Sequence, residues 1–226
     1  MEWNALKLLN AKGEFISAKD GADLLETVEA EDYKFSEVEG LGSAEIIIGG
    51  GIDYHIEQIL ADELVDVNAI KAANFSVVYD GINSTGSIAI PKLLKALGVS
   101  DYKGIHTEIS GSFAHNPEPL KKHLGDICSE VIKRKAHLGI VVDPDVDRLA
   151  FIDEKGEMFG EEYTLIAVAD YMFKTKRGAV VSNLSSSRAL ADLARKKGND
   201  YYASAVGEVN VVEKMKEVCA ILGGEG

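Results

Sequence analysis

At 226 residues the chain can form one large or two modest cores. Its 46% apolar content, 22 Gly and 4 Pro are those of an ordinary α/β globule. A formal charge of −13 argues against a nucleic-acid or anionic-membrane partner, since either calls for a basic surface. Phosphate could still be held locally by backbone amides, a metal or a few placed cations. Cys128 and Cys219 have no metal-ligand spacing and fit a reduced, cytoplasmic protein. The opening MEWNALKLLNAKGEF is charged and does not read as a signal peptide, and no apolar run approaches bilayer length.

In chain order, residues 1–70 read as connecting material with short elements. NALKLLN is a strand or a helical turn, EVEGLGSAEIIIGGG mixes acidic and Gly-rich stretches, and YHIEQILADELV reads as an amphipathic helix. A regular rhythm starts near residue 74. FSVVYD is a strand, GINSTGS a loop and IAIPKLLKALG a helix; GIHTEIS is a strand and PEPLKKHLGDICSEVIKRK a helix. LGIVV and LAFID are strands on either side of an acidic loop. The rhythm then restarts: EEYTLIAVADYMFK helix, GAVVSN strand, SSSRALADLARKKG helix capped by serines, DYYAS strand, VNVVEKMKEV helix and CAILGGEG strand into a Gly-rich loop. Such alternation predicts α/β architecture: two similar units with mixed or parallel sheets, joined near residues 154–161.

The acidic loop DPDVDR carries most of the chemistry. In an extended backbone, positions i, i+2 and i+4 face one side, so Asp143, Asp145 and Asp147 converge while Pro144 and Val146 turn away. Each close pair of carboxylates repels by about 1–4 kcal/mol, depending on the local dielectric. A cation among them removes the conflict, and oxygen-only ligands select a hard ion, Mg2+ first. The alternative is an acidic surface loop that merely ends a strand. An EF-hand is excluded because Arg148 stands where that loop needs Gly and the flanks read as strands. Arg148 could steer a carboxylate or hold a phosphate; a structural ion pair is equally ordinary.

DPDVDRLAFIDEKGEMFGEE resembles the D-x-D-x-D-R metal loop of the α-D-phosphohexomutases, the phosphoglucomutase/phosphomannomutase family, bacterial members in particular. DGINSTGS, HNPEPL, SAVGEVNVVEKMKE and GGEG agree with it in order. The resemblance covers essentially the whole chain. It implies residues 1–70 as the end of a first domain, 71–156 as a metal-binding second domain and 157–226 as part of a sugar-binding third, the second unit truncated.

The resemblance further implies a Mg2+-dependent interconversion of hexose 1- and 6-phosphates through a phosphoserine and a bisphosphate intermediate. Asp143, Asp145 and Asp147 would hold the metal, and Arg148 and Lys7 would serve catalysis, Lys7 approaching the phosphoserine. Gly207, Glu208 and Glu225 would bind substrate, Glu225 through hexose hydroxyls. Glu208 stands where some relatives carry His, and a helix N-terminal acid is its plainer reading. The family's serine lies in a T-A-S-H-N-P loop just before the segment matched here by Asn4 and Lys7, so it would fall upstream of Met1. SFAHNPEP is no substitute, because Ala114 occupies the nucleophile's place and Ser112 is two residues early. The expectation is an internal piece of a larger enzyme, inactive alone. Ser186 and Ser187 could bind phosphate at a helix N-terminus or simply cap it. Two other readings stand beside this one. One is a non-catalytic divalent-metal-binding module; the other is an aspartate-nucleophile phosphatase, against which Asp147 followed by Arg148 speaks.

Overall fold

The computed structural model describes residues 7–46 and 49–225. Asn4 and its neighbours at the start of NALKLLN, and Gly226, therefore lie outside the described residues. Leu9 and Phe15 form an antiparallel bridge across a turn, with the Asn10 side chain accepting from the amides of Lys12 and Glu14. Helix α1 (Ala18–Glu29) follows, started by a reciprocal capping box between Ser17 and Asp20. This helix adds to the short elements expected before residue 70, and its capping pair is its one clear mark in the sequence. Helix α2 (Gly50–Ala61) begins four residues before the expected Tyr54. A short α3 (Val67–Ala73) is capped by Asp66, whose carboxylate accepts from the Ala69 amide at 2.9 Å.

The first α/β unit is built on strands β1 (Ser76–Asp80), β2 (Asp101–Ile105), β3 (Leu138–Val142) and β4 (Leu149–Ile152). Their spatial order is β2-β1-β3-β4, with β4 antiparallel to β3 and the other pairs parallel. Helix α4 (Gly86–Ala96) covers the face bearing Val77, Tyr79 and Val142, through Ile90 and Leu94. Helix α5 (Gly125–Arg134) covers the opposite face, packing Ile127 and Val131 on Val78, Val141 and Ile152. Residues 77 and 78 thus point to opposite layers, as a strand's two-residue period requires.

Two sequence expectations move here. The second strand is 101–105, not 104–110, because His106 adopts a left-handed conformation (φ 48°) and ends it. The residues beyond run as an exposed loop, with Ile109 62% exposed. The helix expected over 117–135 starts only at Gly125, after one 3-10 turn at Lys121–His123. Pro117 and Pro119 disfavour helical backbone at Asn116 and Glu118 and keep the helix from starting earlier.

The second unit has a parallel sheet of β5 (Val180–Asn183), β6 (Tyr201–Ser204) and β7 (Leu222–Gly224), ordered β6-β5-β7. Helices α6 (Glu161–Met172) and α7 (Ala189–Lys197) share one core with Val180, and α8 (Glu208–Val218) covers the other face. Gly223 is needed there: a Cβ at that position would overlap the Met215 sulfur. Of the serines of SSSR only Ser187 reaches the start of α7, its Oγ accepting from the Ala189 amide at 3.4 Å, while the N-cap position itself is Arg188, with no side-chain cap. Ser185 and Ser186 instead donate to the Asn183 side-chain carbonyl at 2.9 and 2.8 Å.

Candidate active site

Parallel strands present their C-terminal ends on one edge, where α/β proteins bind ligands. Asp80 ends β1, His106 follows β2 and Asp143 follows β3, so all three reach that edge of the first sheet. Beyond Asp143 the chain does not stay extended as expected. Pro144 and Asp145 occupy a turn closed by Val146 N–H donating to the Asp143 carbonyl at 3.2 Å. Val146 itself has φ 64°, an unfavourable region for a β-branched residue. Its side chain packs on the α4-side core, and Ser84 donates to the Pro144 carbonyl at 2.9 Å, which together hold the turn. The three carboxylates converge through this turn: one oxygen from each lies within 4.8 Å of the others.

The electrostatics of the cup are uneven. Asp143 is buried, 8% exposed. Burial pushes its pKa up to about 6, and the Asp147 and Asp145 carboxyls add to that push against the Arg148 amide, which donates to it at 3.0 Å. Lys7 lies over the exposed side, its ammonium 2.5 Å from Asp145 Oδ2 and 2.7 Å from Asp147 Oδ2. Those hydrogen bonds hold Asp145 below the usual carboxylate range and Lys7 above the usual ammonium range. Arg148 turns its guanidinium to Glu118 Oε1 at 3.0 Å, which raises its pKa. Three hard oxygen donors, one of them reluctant to ionise unaided, suit a hard divalent cation.

A second cluster shares the same edge. Asp80 is buried, and its Oδ2 lies 2.9 Å from both His106 Nδ1 and His115 Nε2. Its Oδ1 accepts from the Ile82 amide at 2.9 Å. Burial pushes Asp80 up, but the bonds from His115, Ile82 and His106 outweigh it and leave the pKa lowered. His115 is raised, chiefly by Asp80. Neither Asp80 nor His115 stands out in the sequence; a buried acid closing a strand is the one available signal.

In the second unit, Gly207 and Glu225 meet: the Gly207 amide donates to Glu225 Oε1 at 2.7 Å. Asn183, buried at the end of β5, donates to the same oxygen at 2.7 Å. Asn183 too escapes sequence reasoning, hidden in a strand that reads as apolar. Glu208 does not join them. It is exposed at the start of α8 and lines a cavity of about 420 Å³ with Glu14, Phe15, Val212 and Lys216. Ser187 has its amide on Glu162 Oε2 at 2.6 Å, so a carboxylate occupies the place considered for phosphate.

Fold and site together define an α/β protein with a cup of three carboxylates at the edge of a mixed sheet and a second, parallel sheet downstream. Residues 53–156 match the family model for phosphoglucomutase/phosphomannomutase alpha/beta/alpha domain II, and residues 160–226 match that for domain III. The chain belongs to the phosphoglucomutase/phosphomannomutase family. It is 32% identical to a phosphoglucomutase/phosphomannomutase of Thermococcus kodakarensis, over 99% of this chain and 48% of the relative. The structure of a putative phosphomannomutase from Thermus thermophilus superposes with a TM-score of 0.79 at 22% identity, covering 96% of this chain and 48% of that one. An Aspergillus fumigatus N-acetylphosphoglucosamine mutase, solved in complex with GlcNAc-6P and magnesium, shares the fold at TM-score 0.51 and 13% identity, covering 76% and 38%. The chain spans about half the length of the curated relatives it matches. Among the described residues no helix is long and apolar enough to cross a membrane.

Proposed function

We propose that this chain supplies the metal-binding and sugar-binding parts of a phosphohexomutase that interconverts hexose 1- and 6-phosphates. In this reading residues 71–156 form the metal-binding domain, 157–226 part of the sugar-binding domain, and 1–70 the end of a preceding one. The single observation that carries it is the convergence of Asp143, Asp145 and Asp147 in a chain of this family. The three carboxylates would hold Mg2+, which when bound offsets negative charge on a phosphoryl group in transit. Magnesium in the A. fumigatus mutase supports that choice of ion.

The chain's own residues divide the remaining work. Lys7 and Arg148 bring two cations to the rim of the cup, where a phosphoserine or sugar phosphate would sit. Glu225, fixed by Asn183 and the Gly207 amide through Oε1, offers Oε2 to hexose hydroxyls; Oε2 makes no hydrogen bond among the described residues. No Thr-Ala-Ser-His-Asn-Pro loop occurs in the 226 residues.

The test has two stages. Calorimetric titration with MgCl2 should show uptake that D143N and D145N abolish. Flanking the 226 residues with the remaining parts of a full-length relative, its serine loop included, should then yield Mg2+-dependent mutase turnover in a coupled assay. Metal uptake without turnover in that extended protein would instead favour a non-catalytic metal-binding module.

A further inference from the structure

Arg148 sits next to Asp147 in the chain, and its own amide is bonded to Asp143. Its guanidinium feels the charges of Asp143 and Asp147 as well as that of Glu118. Besides Lys7, which already bonds Asp145 and Asp147, the cup thus has a second cation beside it, and the side-chain direction of Arg148 turns that one away from the oxygens a metal would use. Among the described residues, the hydrogen-bond partner that sets that direction is Glu118 Oε1. We propose that Glu118 is a positioning residue that holds Arg148 out of the carboxylate cup, and that Asp80 and His115 fix the loop that presents Glu118. The proposal rests on reading the cup as a metal site.

An exposed Arg–Glu pair contributes little if both side chains must find each other unaided, because ordering them offsets the attraction. Glu118 does not have to search. Its amide donates to Asn116 Oδ1 at 3.0 Å, and its carbonyl accepts from His123 Nδ1 at 3.1 Å and the Leu120 amide at 2.8 Å. Upstream, the Asn83 side chain spans the loop, donating to the Glu108 carbonyl at 2.9 Å and accepting from the Ala114 amide at 3.0 Å.

The anchor beside Glu118 is His115, and its protonation follows from its neighbours. Nδ1 lies 2.8 Å from the Asn116 carbonyl, which can only accept, so Nδ1 carries a proton. Nε2 lies 2.9 Å from Asp80 Oδ2, a carboxylate that also only accepts, so Nε2 carries one too. His115 is accordingly an imidazolium on a buried aspartate. His106 meets the same oxygen through Nδ1 at 2.9 Å, and its Nε2 lies 3.4 Å from Asp126 Oδ2. A charge-assisted pair between the end of β1 and residue 115 is a stronger tie than the exposed Arg148–Glu118 pair it supports.

The full 226-residue chain, E118Q, R148Q and the double variant would be titrated with MgCl2, and the Arg148 Nε–H resonance followed by NMR. E118Q should weaken Mg2+ binding about 5-fold or more, because the released guanidinium occupies the cup. Adding R148Q should bring the affinity back to within about 2-fold of R148Q alone, whereas simple loss of a negative charge would persist in the double variant. E118D should recover part of the loss, and H115A should reproduce E118Q with an unchanged circular dichroism spectrum. An E118Q effect below 2-fold, or one equal in the R148Q background, overturns the proposal. If the wild-type chain takes up no Mg2+, the metal reading fails separately. The clamp is then judged by the Arg148 resonance: a shift in both E118Q and H115A supports it, and an unchanged signal overturns it.

Discussion

Gly207 shows what one residue can fix. Its φ of 112° lies where side-chain-bearing residues rarely go, and its amide donates to Glu225 across 18 positions of sequence. A Cβ there meets little, only the Asn210 side chain at 3.4 Å, so backbone conformation rather than space demands the glycine. G207V should therefore lower stability by about 1–3 kcal/mol, measured by urea unfolding, and should release Glu225, weakening hexose-phosphate binding beyond what the stability loss explains. Residue type and spacing single out the three aspartates in the sequence, whereas Gly207 and Glu225 are singled out by the family resemblance alone. Asn183 is not, since a single Asn closing the strand GAVVSN has no pattern. Only the tertiary approach of β5 to the chain after β7 reveals that it braces Glu225.

Among elements, the loop after β2 has the most to lose from protonation changes. His115 faces Asp80, lies edge-on to His106 and feels Asp126 at the start of α5. Its pKa is raised in the folded protein, so its contribution to stability is complete below the unfolded value and disappears as pH rises through the raised one. The pKa of Asp80 is lowered, so its contribution is complete above the unfolded value and is lost as pH falls through the lowered one. The pair is strongest between those limits. Urea unfolding should show wild-type stability declining on the alkaline side as His115 deprotonates, and H115Q should flatten that limb while costing about 1–3 kcal/mol near neutrality.

The same loop explains why this region is hard to read. GIHTEIS alternates like a strand, but the left-handed backbone at His106 ends the pairing, and that conformation serves the ring's contact with Asp80 rather than any local propensity. The prolines at 117 and 119 are in plain view, yet the apolar period after them suggests a helix eight residues too early. At the acidic loop the aspartates are legible, while the turn through Val146 is not. A β-branched residue at positive φ is stabilised by packing that sequence does not display.

At the scale of the whole molecule, the two α/β units are legible from hydrophobic rhythm, and their mixed and parallel sheets follow from the crossover helices between strands. The segment before β1 is not, because α1 has no buried residue and its one signal is the Ser17–Asp20 cap. In the proposed reaction the two candidate groups, the cup and the Glu225 site, occupy different units, and the 226 residues hold no serine loop. A coupled assay on the chain by itself should thus give no mutase turnover with glucose, mannose or glucosamine phosphates. Robust turnover would require a nucleophile other than the family's serine.

Lys7 ties the segment ahead of α1 to a loop 138 positions away. A dication held by both Asp145 and Asp147 would displace that ammonium, so in the proposed site uptake would be an exchange of cations rather than the filling of bare charge. The site's net charge then changes by one unit instead of two. The segment would keep its place through that exchange, because Lys216 still holds Glu14 at 2.6 Å and Leu9 stays bridged to Phe15.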